Sequence, residues 1–141
     1  MVRLDDIDRQ ILEALKRNSR VKYTELARTV GVTEGAIRRR VNRLVKSGVI
    51  KKFTVEIGAT KPLLKALVLI SARTSHPLSI VSEKVKKLRD VEAVYEVSGL
   101  YDIVAIIKGS DVSDLNNCID EIRKIDGVES TNTLVVLRES S

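Results

Sequence analysis

The sequence predicts an α+β fold in two parts, a three-helix segment followed by a twice-repeated strand-helix-strand unit. Three observations predict it. Apolar residues recur at helical spacing through the first third, with a glycine turn between two of the runs. The last half contains an internal repeat at an offset of 37 residues. Charge divides with the pattern: residues 1–53 hold 14 Lys+Arg against 6 Asp+Glu, a net of +8, and residues 54–141 hold 11 against 13, a net of −2.

Asp5 or Asp6 is placed to cap a first helix in which Ile7, Ile11 and Leu15 recur every four residues and which Asn18-Ser19 ends. A second helix is predicted from about Thr24 to Val30, stopped by Gly31, which accepts the left-handed conformation after a helix end. Thr33 then caps a third helix reaching Lys46, with Gly48 just beyond. On that helix Ile37, Val41 and Leu44 form an apolar stripe, and Arg39, Asn42, Arg43 and Lys46 fall on the opposite side. Val49 to Ile57 reads as an extended segment in which Val49, Phe53, Val55 and Ile57 roughly alternate with Lys and Thr.

In the repeat, Leu67 to Ile70 corresponds to Val104 to Ile107. Val81, Val85 and Leu88 correspond to Cys118, Ile122 and Ile125, and Val91-Glu92 to Val128-Glu129. Each copy reads as an apolar strand, an amphipathic helix and a second strand, with Ser98 to Asp102 joining the copies, so residues 66–141 form a βαββαβ unit. A four-stranded antiparallel sheet of this kind carries its helices on one face. The other face is left bare, and the unit is expected to dimerise through it.

A local excess of positive charge favours a polyanion as partner of residues 1–53. The four aromatic residues, Tyr23, Phe53, Tyr95 and Tyr101, are too scattered to stack unpaired bases, which points to duplex DNA. The spacing from Leu26 to Ile37 is that of a helix-turn-helix: Ala27 is small where two helices cross, Gly31 makes the turn, and Ile37 plugs the core four residues after Thr33. The face bearing Thr33, Gly35, Arg39, Asn42 and Arg43 is thereby left to enter a major groove, with Arg38 and Arg40 flanking it within reach of phosphates.

The remaining composition narrows the function classes. Apolar runs such as Ala66 to Ile70 fall far short of the roughly 20 residues that cross a bilayer. Acids near the N-terminus occupy the place of a signal peptide's apolar stretch, and a cytoplasmic location is expected. The single cysteine, Cys118, lies beside the Leu115, Ile119 and Ile122 stripe and is expected to be buried packing. His76 precedes Pro77 in a predicted loop. No nucleophile-base pair, metal cluster or phosphate-binding glycine loop emerges, so neither an enzyme nor a cofactor is expected.

From Leu4-Asp5-Asp6-Ile7-Asp8-Arg9-Gln10-Ile11-Leu12 to the last strand, the chain resembles the Lrp/AsnC family of prokaryotic transcription regulators. The resemblance rests on the helix-turn-helix, Arg40-Val41-Asn42-Arg43-Leu44, Gly48-Val49-Ile50-Lys51, the turn Gly99-Leu100-Tyr101-Asp102 and the closing Val128-Glu129-Ser130-Thr131-Asn132-Thr133. It implies a winged helix-turn-helix over 1–53, a hinge strand and linker over 54–65, and a ferredoxin-like effector and dimerisation domain over 66–141. It also implies a homodimer, often an octamer, on a pseudo-palindromic operator, responding to an amino acid. The chain departs from the family pattern in its hinge, which lacks the usual Asp/Asn-Pro start and Leu-Gly pair, and at Gly35, an unusual residue within a recognition helix.

An amino-acid effector presents a carboxylate and an ammonium. Backbone N–H groups at Gly99, Leu100 and Tyr101 suit the first, and Asp102 suits the second. Thr131 and Thr133, two apart on a strand, add hydroxyls on one face. The competing reading of this turn is a plain hairpin with Tyr101 packed on a neighbouring subunit. Two further functional readings share the architecture: a siroheme-decarboxylase-like enzyme, opposed by the arginine-rich helix and the single histidine, and an effector-independent architectural DNA binder.

Overall fold

The computed structural model describes residues 2–58 and 60–140. The chain forms two compact units that divide between Ile57 and Gly58, inside the predicted 54–65 linker.

The first unit holds α1 (Asp6–Arg17), α2 (Tyr23–Val30) and α3 (Glu34–Lys46). Asp5 caps α1 in a reciprocal box with Asp8: the Asp8 amide donates to Asp5 Oδ1 at 2.8 Å and the Asp5 amide to Asp8 Oδ2 at 3.1 Å. Helix α2 starts one residue before the predicted Thr24, after Lys22, which supplies no side-chain cap. Burial of Leu26 and Ala27 fixes this helix where capping does not. Gly31 has φ 82° and, with Val32, donates to the Ala27 carbonyl, closing the turn into α3. Ile11 and Leu15 from α1, Leu26 and Ala27 from α2, and Ile37, Val41 and Leu44 from α3 make the core.

The extended segment predicted after α3, with the hinge strand that the family resemblance implies, forms no strand among the described residues. Val49 and Ile50 pack against the helical core, but residues 51–58 run exposed without a strand ladder, with Phe53 51%, Val55 71% and Ile57 79% exposed. Alternation prepares a strand, and pairing makes one. Among the described residues nothing pairs with this segment.

The second unit runs β1 (Leu64–Ala72), α4 (Leu78–Lys86), β2 (Val91–Glu96), β3 (Ile103–Gly109), α5 (Val112–Arg123) and β4 (Val128–Val135), so β1 begins two residues before the predicted domain start at 66. The antiparallel sheet has the order β2-β3-β1-β4, the arrangement of the predicted ferredoxin-like fold. The repeat is visible in burial: Ala66, Val68 and Ile70 are fully buried, as are Ile103, Ala105 and Ile107, each 37 residues later. These residues face α4 and α5 with Val81, Val85, Cys118 and Ile122. The alternate residues Leu67, Leu69, Val104 and Ile106 lie opposite one another on the uncovered face, with Leu134 and Tyr95 each about half exposed beside them. No helix among the described residues is long and apolar enough to cross a membrane.

Candidate nucleic-acid interface and effector turn

The start of α3 is set by Thr33, whose hydroxyl accepts from the Ala36 amide at 3.1 Å. With Ile37 and Leu44 fully buried beneath the helix, the opposite side is solvent-facing. At 100° per residue Gly35, Arg39, Asn42 and Lys46 fall within about 60° of one another on that side, and all four are exposed. Arg39, Asn42 and Lys46 make no side-chain hydrogen bond or ion pair among the described residues. A β-carbon at Gly35 would meet nothing within 4 Å, so its absence relieves no crowding inside the chain.

The other three arginines of α3 are engaged. Arg38 pairs with Glu34 at 2.8 Å and lies 5.4 Å from the centroid of the Tyr23 ring. Arg40, expected at phosphates, turns back toward α1: its guanidinium donates to Asp5 Oδ2 at 2.7 Å and Asp8 Oδ1 at 2.9 Å, leaving the side chain 26% exposed. Arg43, expected on the groove face, also pairs with Asp8, through its other oxygen. Two carboxylates at the start of α1 draw these guanidiniums sideways. The backbone amide of Asp8 and the Arg40 guanidinium hold Asp5 well below the usual carboxylate range, at about 2.

Asp8, which holds both guanidiniums, is a residue that sequence patterning missed. It is fully buried, yet it is charged, and it lies on the same stripe as Ile11 and Leu15. The signal was an acid at a core position of α1 together with arginines three apart on α3.

In the second unit, Gly99 sits at φ 133° and Leu100 is 95% exposed at the tip of the turn between β2 and β3. The Val97 amide donates to the Asp102 carbonyl at 2.9 Å and the Asp102 amide to the Ile70 carbonyl at 2.9 Å. The Asp102 carboxylate, expected to be open to an ammonium, accepts from the Ala72 amide at 2.8 Å, where the β1–β4 register shifts. One of its oxygens thus holds the end of β1.

Thr131 and Thr133 share a face, as expected, and it is the helix-covered one, because they lie opposite Ile70 and Val68. Thr131 accepts from Arg123 Nε at 3.0 Å, and Thr133 lines an open groove of about 440 Å³ against α5. The β4 residue that reaches the turn is Asn132, on the opposite face, whose side-chain nitrogen donates to the Tyr101 hydroxyl at 3.1 Å. His76 pairs with Asp126 at 3.1 Å in the loop before α4, and Cys118 is buried with its thiol pushed up to about 11 by desolvation.

Comparison with known proteins places both units. A family model described as winged helix-turn-helix DNA-binding matches residues 4–51, and the Lrp/AsnC ligand binding domain matches residues 65–141. The chain is 41% identical over 135 residues to the HTH-type transcriptional regulator LysM of Saccharolobus solfataricus, covering 96% of this chain and 94% of that protein. Among solved structures it is similar to E. coli AsnC, with TM-score 0.89 and 28% identity over 98% of this chain and 95% of the other. It is likewise similar to the feast or famine regulatory protein from M. tuberculosis, described in complex with L-methionine, with TM-score 0.87 and 28% identity over 97% of this chain and 94% of the other. A ligand-binding domain matching over half of the chain, behind a DNA-binding helix-turn-helix and with relatives similar along nearly its whole length, places the protein in the Lrp/AsnC family of DNA-binding transcription regulators.

Proposed function

We propose that this regulator reads a pseudo-palindromic operator as a homodimer or larger assembly, through the Gly35, Arg39 and Asn42 stripe of α3, with Thr33 at the entry of the helix and Lys46 at its end. The observation that carries the reading is the contrast along α3: Arg39 and Asn42 have no partner among the described residues, whereas Arg38, Arg40 and Arg43 are paired. Arginine and asparagine are suited to paired contacts with guanine and adenine edges in the major groove. Dimer formation is supported by the uncovered apolar face of the sheet.

The effector of this reading is an amino acid. The L-methionine complex of the M. tuberculosis relative supports it, as does the turn. There the backbone amides of Gly99, Leu100 and Tyr101 have no partner among the described residues and suit a carboxylate, while the second oxygen of Asp102 suits an ammonium. Thr131 and Thr133, on the helix-covered face, take a lesser part. The test is selection of genomic DNA fragments bound by the full chain, with and without a mixture of the twenty amino acids. Recovery of a two-fold sequence whose occupancy changes with the mixture is expected. Recovery of no preferred sequence overturns operator reading, and occupancy indifferent to every amino acid overturns the effector.

A further inference from the structure

Four charged side chains meet where α1 begins. Asp8, fully buried, accepts from the Asp5 amide, from Arg40 at 2.9 Å and from Arg43. Asp5 accepts from Arg40 at 2.7 Å. A carboxylate removed from water is tolerated only with its lone pairs satisfied, and these donors satisfy it. Two acids and two arginines leave the cluster formally neutral. Its arginines nevertheless belong to the recognition helix, where they border an open hollow with Ala36 and Arg39.

A duplex draws on every unneutralised cation it meets. Each phosphate contact adds to affinity for any sequence and steepens its dependence on salt, with a slope of about −0.9 per contact. Arginines committed to a buried acid are withheld from that contribution. We propose that Asp8 is a positioning residue for DNA recognition: it tethers Arg40 and Arg43 to α1, withholding both from phosphates, so that the recognition helix meets DNA with Arg39 foremost. Asp8 thereby lowers affinity for unrelated sequence more than affinity for the operator. This rests on the reading of α3 as the groove-facing helix.

The experiment compares wild type, Asp8→Asn, Asp8→Glu and Asp5→Asn on two duplexes, a fragment selected with wild-type protein and the same base composition scrambled, across a salt series. Circular dichroism melts establish which variants are folded. Expected is a slope on the scrambled duplex steeper by about 1 to 2 per protomer in Asp8→Asn. The ratio of selected to scrambled affinity falls several-fold, and Asp8→Glu recovers both values at least partly. If Asp8→Asn does not fold, Asp5→Asn, which keeps a capping side chain and withdraws charge from Arg40 alone, is expected to steepen the slope by up to about 1. A merely structural Asp8 would lower the melting temperature and leave the slope of the folded protein unchanged. That unchanged slope, in whichever of Asp8→Asn and Asp5→Asn folds, overturns the proposal. Wild-type protein that prefers no fragment over its scrambled counterpart overturns the groove-facing reading of α3 instead.

Discussion

Asp102 and Ala72 are joined by a hydrogen bond of 2.8 Å from the backbone amide of one to the carboxylate of the other, tying the turn before β3 to the irregular end of β1. The acid proposed for the effector therefore also has work within the fold. The two roles separate in the Asp102→Asn variant, because an asparagine oxygen still accepts from the Ala72 amide while the charge is lost. Its melting temperature is expected to stay close to that of wild type. Affinity for whichever amino acid the wild type binds in calorimetric titration is expected to fall by about 1.5–3 kcal/mol, the range for a hydrogen bond to a charged group. Equal affinity would leave Asp102 to the hairpin alone.

Arg39→Ala is expected to weaken operator binding by about 1–3 kcal/mol without affecting the fold, since the side chain has no partner among the described residues. Fluorescence anisotropy at fixed salt checks this. A parallel loss on scrambled DNA would mark Arg39 as a phosphate contact, and unchanged affinity would remove it from the interface.

Gly35→Ala tests whether the missing side chain serves the DNA. The open space around its position means that alanine is accepted by the folded chain, with thermal stability unchanged or raised by about 0.5–1 kcal/mol from helix propensity. Operator binding is expected to weaken, because the added methyl group projects from the groove-facing side. A variant that is both as stable and as tight-binding as wild type would leave the glycine without a role.

The uncovered sheet face predicts the effect of Leu69→Asp. Leu69 lies opposite Val104 and Asn132 in the middle of that face, so the charge stays in water when the chain is single and is buried when two faces meet. Light scattering of the full chain is expected to give at least a dimer for wild type and a shift toward monomer for the variant. A monomeric wild type contradicts the assembly.

Acid sensitivity follows from Asp5. Its folded-state value of about 2 lies below the ordinary 3.8, so the folded form favours the ionised acid. The resulting stabilisation is present above about pH 4 and is lost as the pH falls through that range toward 2. Melting temperatures of wild type and Asp5→Asn are expected to differ most above pH 5 and to converge near pH 2. A constant difference across that window would contradict the assignment.

Legibility in the sequence followed the range of the interaction. Helices α1 and α3 and the repeated unit stood out because capping, periodicity and recurrence are local or self-comparing signals, and Thr33 and Gly31 fall where those signals put them. The segment after Ile50 alternates as a strand does yet pairs with nothing among the described residues, because alternation says nothing about a pairing partner. Periodicity along α3 alone points all its arginines away from the core. The acids that turn Arg40 and Arg43 sideways are more than 30 residues away. Likewise Thr131 and Thr133 were correctly placed on a common face, but only the register with β1 says which face it is.

The 37-residue recurrence also shows where the two copies differ. Ser82 in α4 donates to Glu96 at the end of β2, stitching helix to strand in the first copy. The corresponding positions in the second copy are Ile119 and Thr133, and there an open groove runs between α5 and β4. The seam between helix and edge strand is thus bridged in the first copy by Ser82 and Glu96, and in the second it opens into a groove beside the Arg123–Thr131 bond. A molecule that meets the two edges of the sheet therefore finds different surfaces built over the same pattern of buried positions.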